Sequence, residues 1–167
     1  MLDNLINLVK QYAGEEVNNN PSIPAEKKGA VVEETSNTIT GSLQKLASGG
    51  GLNELLGMFT GNSTGGNVTQ TLSGDVASNL TNKIGLDPGT ASGFAGGIIP
   101  KILGSLVNKT NDPGDNSFNL ESIFSSLTGG KASGGNLAGM IGKLKSGLDR
   151  DGDGDVDLRD AMKLFGK

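Results

Sequence analysis

Six aspartates stand at positions 149, 151, 153, 155, 157 and 160 of this 167-residue sequence, and their types and spacing could do chemistry. With Asp149 as the first position, Asp151 and Asp153 are the third and fifth, Asp155 the seventh, Asp157 the ninth and Asp160 the twelfth. These are the places from which a twelve-residue calcium loop draws its oxygen ligands. Asp155 would offer its backbone carbonyl, and Asp157 would act directly or through a water. Gly154 falls at the sixth position, where the chain must turn through a conformation costly for other residues. Val156, at the eighth, is the apolar residue that would point back to a core. Six carboxylates in one short loop repel one another unless a cation sits among them.

The charge of the whole chain has the same origin. Of 18 acidic and 14 basic residues, the six aspartates and Arg150 and Arg159 lie in this stretch, which alone accounts for the net charge of −4. The remainder is formally neutral, with no basic patch of the kind that holds nucleic acid phosphates. Cysteine and histidine are both absent. That excludes disulfides, a zinc or copper site of the usual kind, a cysteine nucleophile and a histidine base. Only oxygen ligands remain, which suit calcium, magnesium or manganese. No lysine–serine constellation and no phosphate-binding glycine loop is present, so the chain is expected not to be an enzyme. Glu15-Glu16 and Glu33-Glu34 read as solvated surface pairs.

The segment from residue 141 to 165 resembles the EF-hand superfamily, and most closely the dockerin-type loop, which also ends in aspartate. Leu148, Leu144 and Ile141 would lie on the entering helix, and Ala161, Leu164 and Phe165 on a short exiting one. The resemblance implies one bound calcium ion with Asp149, Asp151, Asp153, Asp155, Asp157 and Asp160 around it. Two departures bear on affinity. Asp160 stands where a longer glutamate usually grips the ion with both oxygens, so magnesium becomes a competitor. Such loops normally come in pairs, and this chain has one.

The elements that must carry this loop read as helices almost throughout, because apolar residues recur at three- and four-residue spacing. Helices are expected from about Leu2 to Ala13, from near Pro24 to Ala47 with Ser22 as cap, and from Leu52 to Phe59. Val68, Leu72, Val76, Leu80 and Ile84 mark another. Asp87-Pro88 opens the next, cap then first-turn proline, which runs through Phe94, Ile98, Ile102 and Leu106 and stops at Asn111-Asp112-Pro113-Gly114. A short helix follows from Leu120 to Leu127. The face of the second helix is expected to carry Val32, Ile39, Leu43 and Leu46. Nine glycines interrupt these patterns: Gly29, Gly41, Gly57, Gly74, Gly96, Gly97, Gly104, Gly139 and Gly142. Close helix–helix approach would explain them, as would helices shorter than drawn.

Gly41-Ser42-Leu43 matches Gly104-Ser105-Leu106, and Thr60-Gly61 matches Thr128-Gly129. The expected fold is therefore all-α, a bundle of seven or eight helices from two-and-a-fraction repeats, 1–66 and 67–135, with the third cut short by the acidic loop. A Gly-rich domain over 1–147 and a helix–loop–helix over 136–167 follow. The Gly-rich short helices and the stretch Ile98-Ile99-Pro100-Lys101-Ile102-Leu103-Gly104-Ser105-Leu106 resemble the YidB-like family. That resemblance implies an all-helical fold and a bacterial source rather than a function, since the family has no established activity, and it transfers no site residues. Residues 93–107 are too short and, with Lys101, too charged to span a bilayer, and read as the central core helix. Met1 opens an amphipathic segment rather than a signal peptide, which points to the cytoplasm unless export is non-classical. The expected function is a calcium-binding structural or interaction protein. The competing readings are a self-assembling surface or filament protein with calcium-dependent subunit contacts, and a membrane-associated helical protein.

Overall fold

The structure, a computed structural model, describes residues 2–59, 65–112, 118 and 120–129. The body Met1–Thr128 is one compact unit. It is all-α: six helices, with no strand among the described residues. They are α1 (Leu2–Asn19), α2 (Lys28–Ser48), α3 (Leu52–Phe59), α4 (Gly65–Ile84), α5 (Pro88–Thr110) and α6 (Leu120–Leu127), with a single 3-10 turn, Ala25–Lys27, before α2.

The four long helices close into a ring in the order α1, α2, α4, α5, each packing on two neighbours. The short α3 lies against α4, α2 and α5, and the short α6 against α2 and α1. Removal of apolar surface from water drives this arrangement at about 25 cal/mol per Å². Phe94, Ile98, Ile99, Ile102, Leu103 and Leu106 of α5 are all buried, as the core reading of that segment requires. By length and composition α5 could cross a membrane, but here its apolar residues fill the bundle. Phe59 of α3 meets Phe124 of α6 edge to face, with ring centroids 6.1 Å apart.

The helix limits differ from expectation at the start of the chain. α1 continues to Asn19 because Val17 keeps the four-residue rhythm of Leu5, Val9 and Ala13, and all four are buried. Glu15, Asn18 and Asn19 are polar because they face solvent, not because the helix has ended. Ser22 does not cap α2. Its N–H donates to Asn20 Oδ1 at 3.0 Å, and the chain enters α2 through Pro24 and the 3-10 turn. The buried face of α2 is Val31, Thr35, Ile39, Ser42 and Leu43, whereas Val32 and Leu46 are half-buried.

Asp87-Pro88 acts as read. Asp87 Oδ2 accepts from Thr90 N–H at 3.1 Å, with Pro88 in the first turn of α5. Gly85, at φ +69°, turns the chain out of α4, and its carbonyl is held by Lys27 Nζ at 2.8 Å. Asp87→Ala removes a cap and is expected to cost about 1 kcal/mol in urea unfolding. Asp87→Asn, which keeps an acceptor oxygen, is expected to cost less.

The interior glycines of α2, α4 and α5 are not contact points. A Cβ placed on Gly29, Gly41, Gly74, Gly93, Gly96 or Gly104 would meet nothing within 4 Å, and one on Gly97 would meet only Glu16 Oε1 at 3.8 Å. These helices are also no shorter than expected. Close approach is therefore not what the glycines in α2, α4 and α5 provide. Gly139 and Gly142 lie outside the described residues.

The core carries a periodicity of its own. Leu5 and Val68, Val9 and Leu72, Ala13 and Val76, and Val17 and Leu80 each stand 63 positions apart. So do Ile23 and Leu86, Val31 and Phe94, Ile39 and Ile102, and Leu43 and Leu106. Every one of these residues is buried. The helix lengths recur as well: 18, 21 and 8 residues, then 20, 23 and 8.

Candidate functional site

Asp149, Asp151, Asp153, Asp155, Asp157 and Asp160 all lie outside the described residues, as does the expected exiting helix. Among the described residues no group of three acidic side chains is placed to hold a metal ion. What the described body does contain is a polar cleft of about 300 Å³ between α2 and α4.

The cleft arises because both helices turn polar residues toward each other, over residues 34–45 of α2 and 75–83 of α4. On α4, Val68, Leu72, Val76 and Leu80 pack inward at four-residue spacing, while Asp75, Ser78, Asn79 and Lys83 fall on the adjoining stripe facing α2. On α2, Glu34, Thr38, Ser42 and Lys45 form the opposite wall. Thr38 and Ser42 are each only 6% exposed.

A chain of hydrogen bonds fixes these side chains. Lys83 Nζ donates to Glu34 Oε1 at 2.7 Å, and Thr38 Oγ1 donates to the same oxygen at 3.2 Å. Asn79 Nδ2 donates to Thr38 Oγ1 at 2.9 Å. One turn further along, Ser42 Oγ donates to Asp75 Oδ2 at 2.5 Å, a charge-assisted bond of the short, strong kind. The Glu34 side chain is 16% exposed and Lys83 58%. Glu34 is thus a bonded wall residue rather than free surface, although Glu33, its neighbour in sequence, is exposed. Glu16 departs from the surface reading in the same way, pairing with Lys101 at 2.8 Å.

No family model matches this chain, and no curated protein or solved structure matches it either.

The seam on the far side of the ring, between α1 and α5, allows an internal comparison. Thr38 and Asn79 stand 63 positions from Lys101 and Glu16 respectively. The hydrogen bond Asn79–Thr38 across α2 and α4 therefore corresponds, position for position, to the ion pair Lys101–Glu16 across α5 and α1. The same offset carries Asp75 back to Tyr12 and Lys45 forward to Asn108. The charges of the cleft belong to one seam and not to its counterpart.

A second polar feature lies beneath α2. Thr35 is fully buried, and its Oγ1 finds no hydrogen-bond partner among the described residues. The residues 63 positions beyond Thr35 and Ser36 are Ile98 and Ile99, both buried. Leaving a hydroxyl unpaired in an apolar setting costs about 1–3 kcal/mol. Thr35→Val keeps the shape and removes the orphan, so it is expected to stabilise the protein by about 1 kcal/mol in urea unfolding. A loss of stability instead would show that the hydroxyl has a partner when folded.

The polar cleft escaped the sequence reading because hydrophobic spacing says nothing about polar residues that turn inward. The available signal was the offset of 63. Aligning the two halves sets Thr35 and Ser36 against two isoleucines, and Asp75 against a tyrosine. Substitutions of that kind at core and seam positions mark places where one half does something the other does not.

Proposed function

We propose that this is a non-enzymatic calcium-binding protein. In this reading a single ion is held by residues 149–160, and it stabilises the C-terminal segment that begins after Thr128. The observation that carries the reading is the spacing of Asp149, Asp151, Asp153, Asp155, Asp157 and Asp160 with Gly154 and Val156 between them. Oxygen donors at positions 1, 3, 5, 7, 9 and 12, with glycine at 6, satisfy the stereochemistry of a calcium loop. A merely solvated acidic tail has no need of glycine and valine at those two places. The absence of His and Cys leaves oxygen chemistry as the available kind. The loop's resemblance to EF-hand and dockerin segments, and the looser resemblance of the body to the YidB-like family, belong to the same reading.

Calcium titration of the chelator-treated chain tests it, followed by calorimetry and by amide hydrogen exchange. One calcium per chain is expected, with slowed exchange over residues 136–167. Asp153→Ala, which deletes the ligand beside the turn glycine, is expected to abolish both. Calcium binding with unchanged exchange over those residues would separate a metal site from a structural role. No binding would remove the reading.

A second reading is self-association. It is favoured by the lone loop, since such loops usually work in pairs and a second copy of the chain would supply the partner. Light scattering with calcium and with chelator decides it: a monomer in both removes it.

A further inference from the structure

We propose that the cleft between α2 and α4 binds a small zwitterion of the free amino acid type, one molecule carrying both an ammonium and a carboxylate. This goes beyond the calcium reading and uses none of its residues, since the cleft belongs to the body Met1–Thr128.

The size and the walls of the cleft set the class of ligand. Its volume, about 300 Å³, is at the lower end for small-molecule sites. Such sites are usually lined by apolar and aromatic side chains, whereas here every lining residue is polar apart from Gly41. An apolar ligand would displace water without replacing its hydrogen bonds and would lose affinity. The ligand must therefore be small and polar over its whole surface.

The charges then select among polar ligands. Four charged side chains line the cleft: Glu34, Lys45, Asp75 and Lys83. Two of them neutralise each other in the 2.7 Å pair Lys83–Glu34. Among the described residues, Asp75 and Lys45 form an ion pair neither with each other nor with any other charged group. Ser42 fixes the Asp75 carboxylate through Oδ2 and leaves Oδ1 open to accept. Lys45 stands one turn beyond Ser42 on the same face of α2. The walls thus present one unneutralised anion and one unneutralised cation. A zwitterion satisfies both at once, its ammonium on Asp75 and its carboxylate on Lys45. A singly charged ligand satisfies one and leaves the other, and a polyol satisfies neither charge. Asn37 and Asn79 offer amide groups for whatever side chain the zwitterion carries.

The fold itself does not call for these charges. The corresponding positions in the α1–α5 seam are Tyr12 and Asn108, and the ring closes there without them. The α1–α5 seam closes on the single neutralised pair Lys101–Glu16, whereas the α2–α4 seam holds the pair Lys83–Glu34 and, beyond it, Asp75 and Lys45, which points to a ligand rather than to packing.

The test uses the full chain in chelator and again in calcium. Two-dimensional amide spectra are titrated with glycine, L-alanine and L-serine, and in parallel with acetate, ethylamine and glycerol. Saturable shifts at residues 34–45 and 75–83 are expected with at least one of the three zwitterions, the same with and without calcium. The single-function probes are expected to bind at least about tenfold more weakly. Lys45→Gln alters an exposed residue and is expected to keep its melting temperature, and Asp75→Asn keeps an acceptor for Ser42 and is expected to stay folded, with its melting temperature lowered by a few degrees at most. Each loses one charge-assisted hydrogen bond and is expected to weaken binding by about 10- to 100-fold. The proposal is overturned if none of the three zwitterions produces saturable shifts there, if acetate, ethylamine or glycerol binds as tightly as the best of them, or if both variants bind like the parent chain.

Discussion

Saturating calcium is expected to raise the stability of the segment beyond Thr128 by roughly 2.7 kcal/mol at about 100 times Kd, if the folded chain alone binds the ion. Where the whole chain unfolds in one transition, that corresponds to an upward shift of about 5–11 °C. The reasoning is mass action and needs no detail of the loop's geometry. Six carboxylates repel one another until a divalent ion sits among them, so the ion-free segment is the destabilised state. Asp153→Ala is expected to abolish the shift. Asp160→Glu restores the longer carboxylate and is expected to enlarge it, because two oxygens rather than one can then reach the ion. Magnesium is expected to give a smaller shift than calcium, since it holds its waters and demands strict octahedral geometry. Scanning calorimetry in calcium, in magnesium and in chelator measures all of this in one series. Identical traces in calcium and chelator would remove the calcium reading.

The triple variant Gly74→Ala, Gly96→Ala, Gly104→Ala is expected to be more stable than the parent by roughly 1–3 kcal/mol. Glycine inside a helix costs up to about 1 kcal/mol against alanine, chiefly because the unfolded chain has more freedom to lose. A new methyl group usually clashes where glycines line a helix–helix contact. Here a Cβ at any of these three positions would meet nothing within 4 Å, and all three residues are exposed. The positions lie on two different helices and share no partner, so the effects should add. Urea unfolding of the single and triple variants checks both the sign and the additivity. Destabilisation would mean that these faces are covered in solution, and light scattering would then show by what.

The two expectations differ in what made them legible. The short helices α3 and α6 begin and end where the sequence places them: Gly49-Gly50-Gly51 and Thr60-Gly61 bound Leu52–Phe59, and Thr128-Gly129 follows Leu127. Asp87-Pro88 was readable for a similar reason: a cap and a first-turn proline are local devices, and a local device needs no tertiary context. The errors fall where tertiary context decides. Val17 extends α1 through a run of polar residues because its partners across the ring bury it. Thr35, Ser36, Thr38 and Ser42 are buried on α2, so a reading that equates buried with apolar chose Val32 and Leu46 instead. The open surroundings of the glycines are likewise a fact about neighbours, which no pattern in one helix contains. The polar cleft was illegible because each of its residues, taken singly, looks like surface. The proposed aspartate loop is the opposite case, because all the ligands it would use lie within twelve consecutive residues.

Half of this body would have been enough to build the whole of it. Equivalent core residues 63 positions apart, and seams that correspond helix for helix, describe a self-complementary arrangement in which each half buries its apolar face on the other. Two copies of a half-length ancestor, meeting about a twofold axis, would form the same ring from identical surfaces. Fusion into one chain releases the halves from having to stay alike. Ile98 and Ile99 stand in one half where the other has Thr35 and Ser36, and Lys45 and Asp75 match Asn108 and Tyr12 at the same offset. Asymmetry of that sort is closed to an assembly of identical subunits, and tandem fusion opens it.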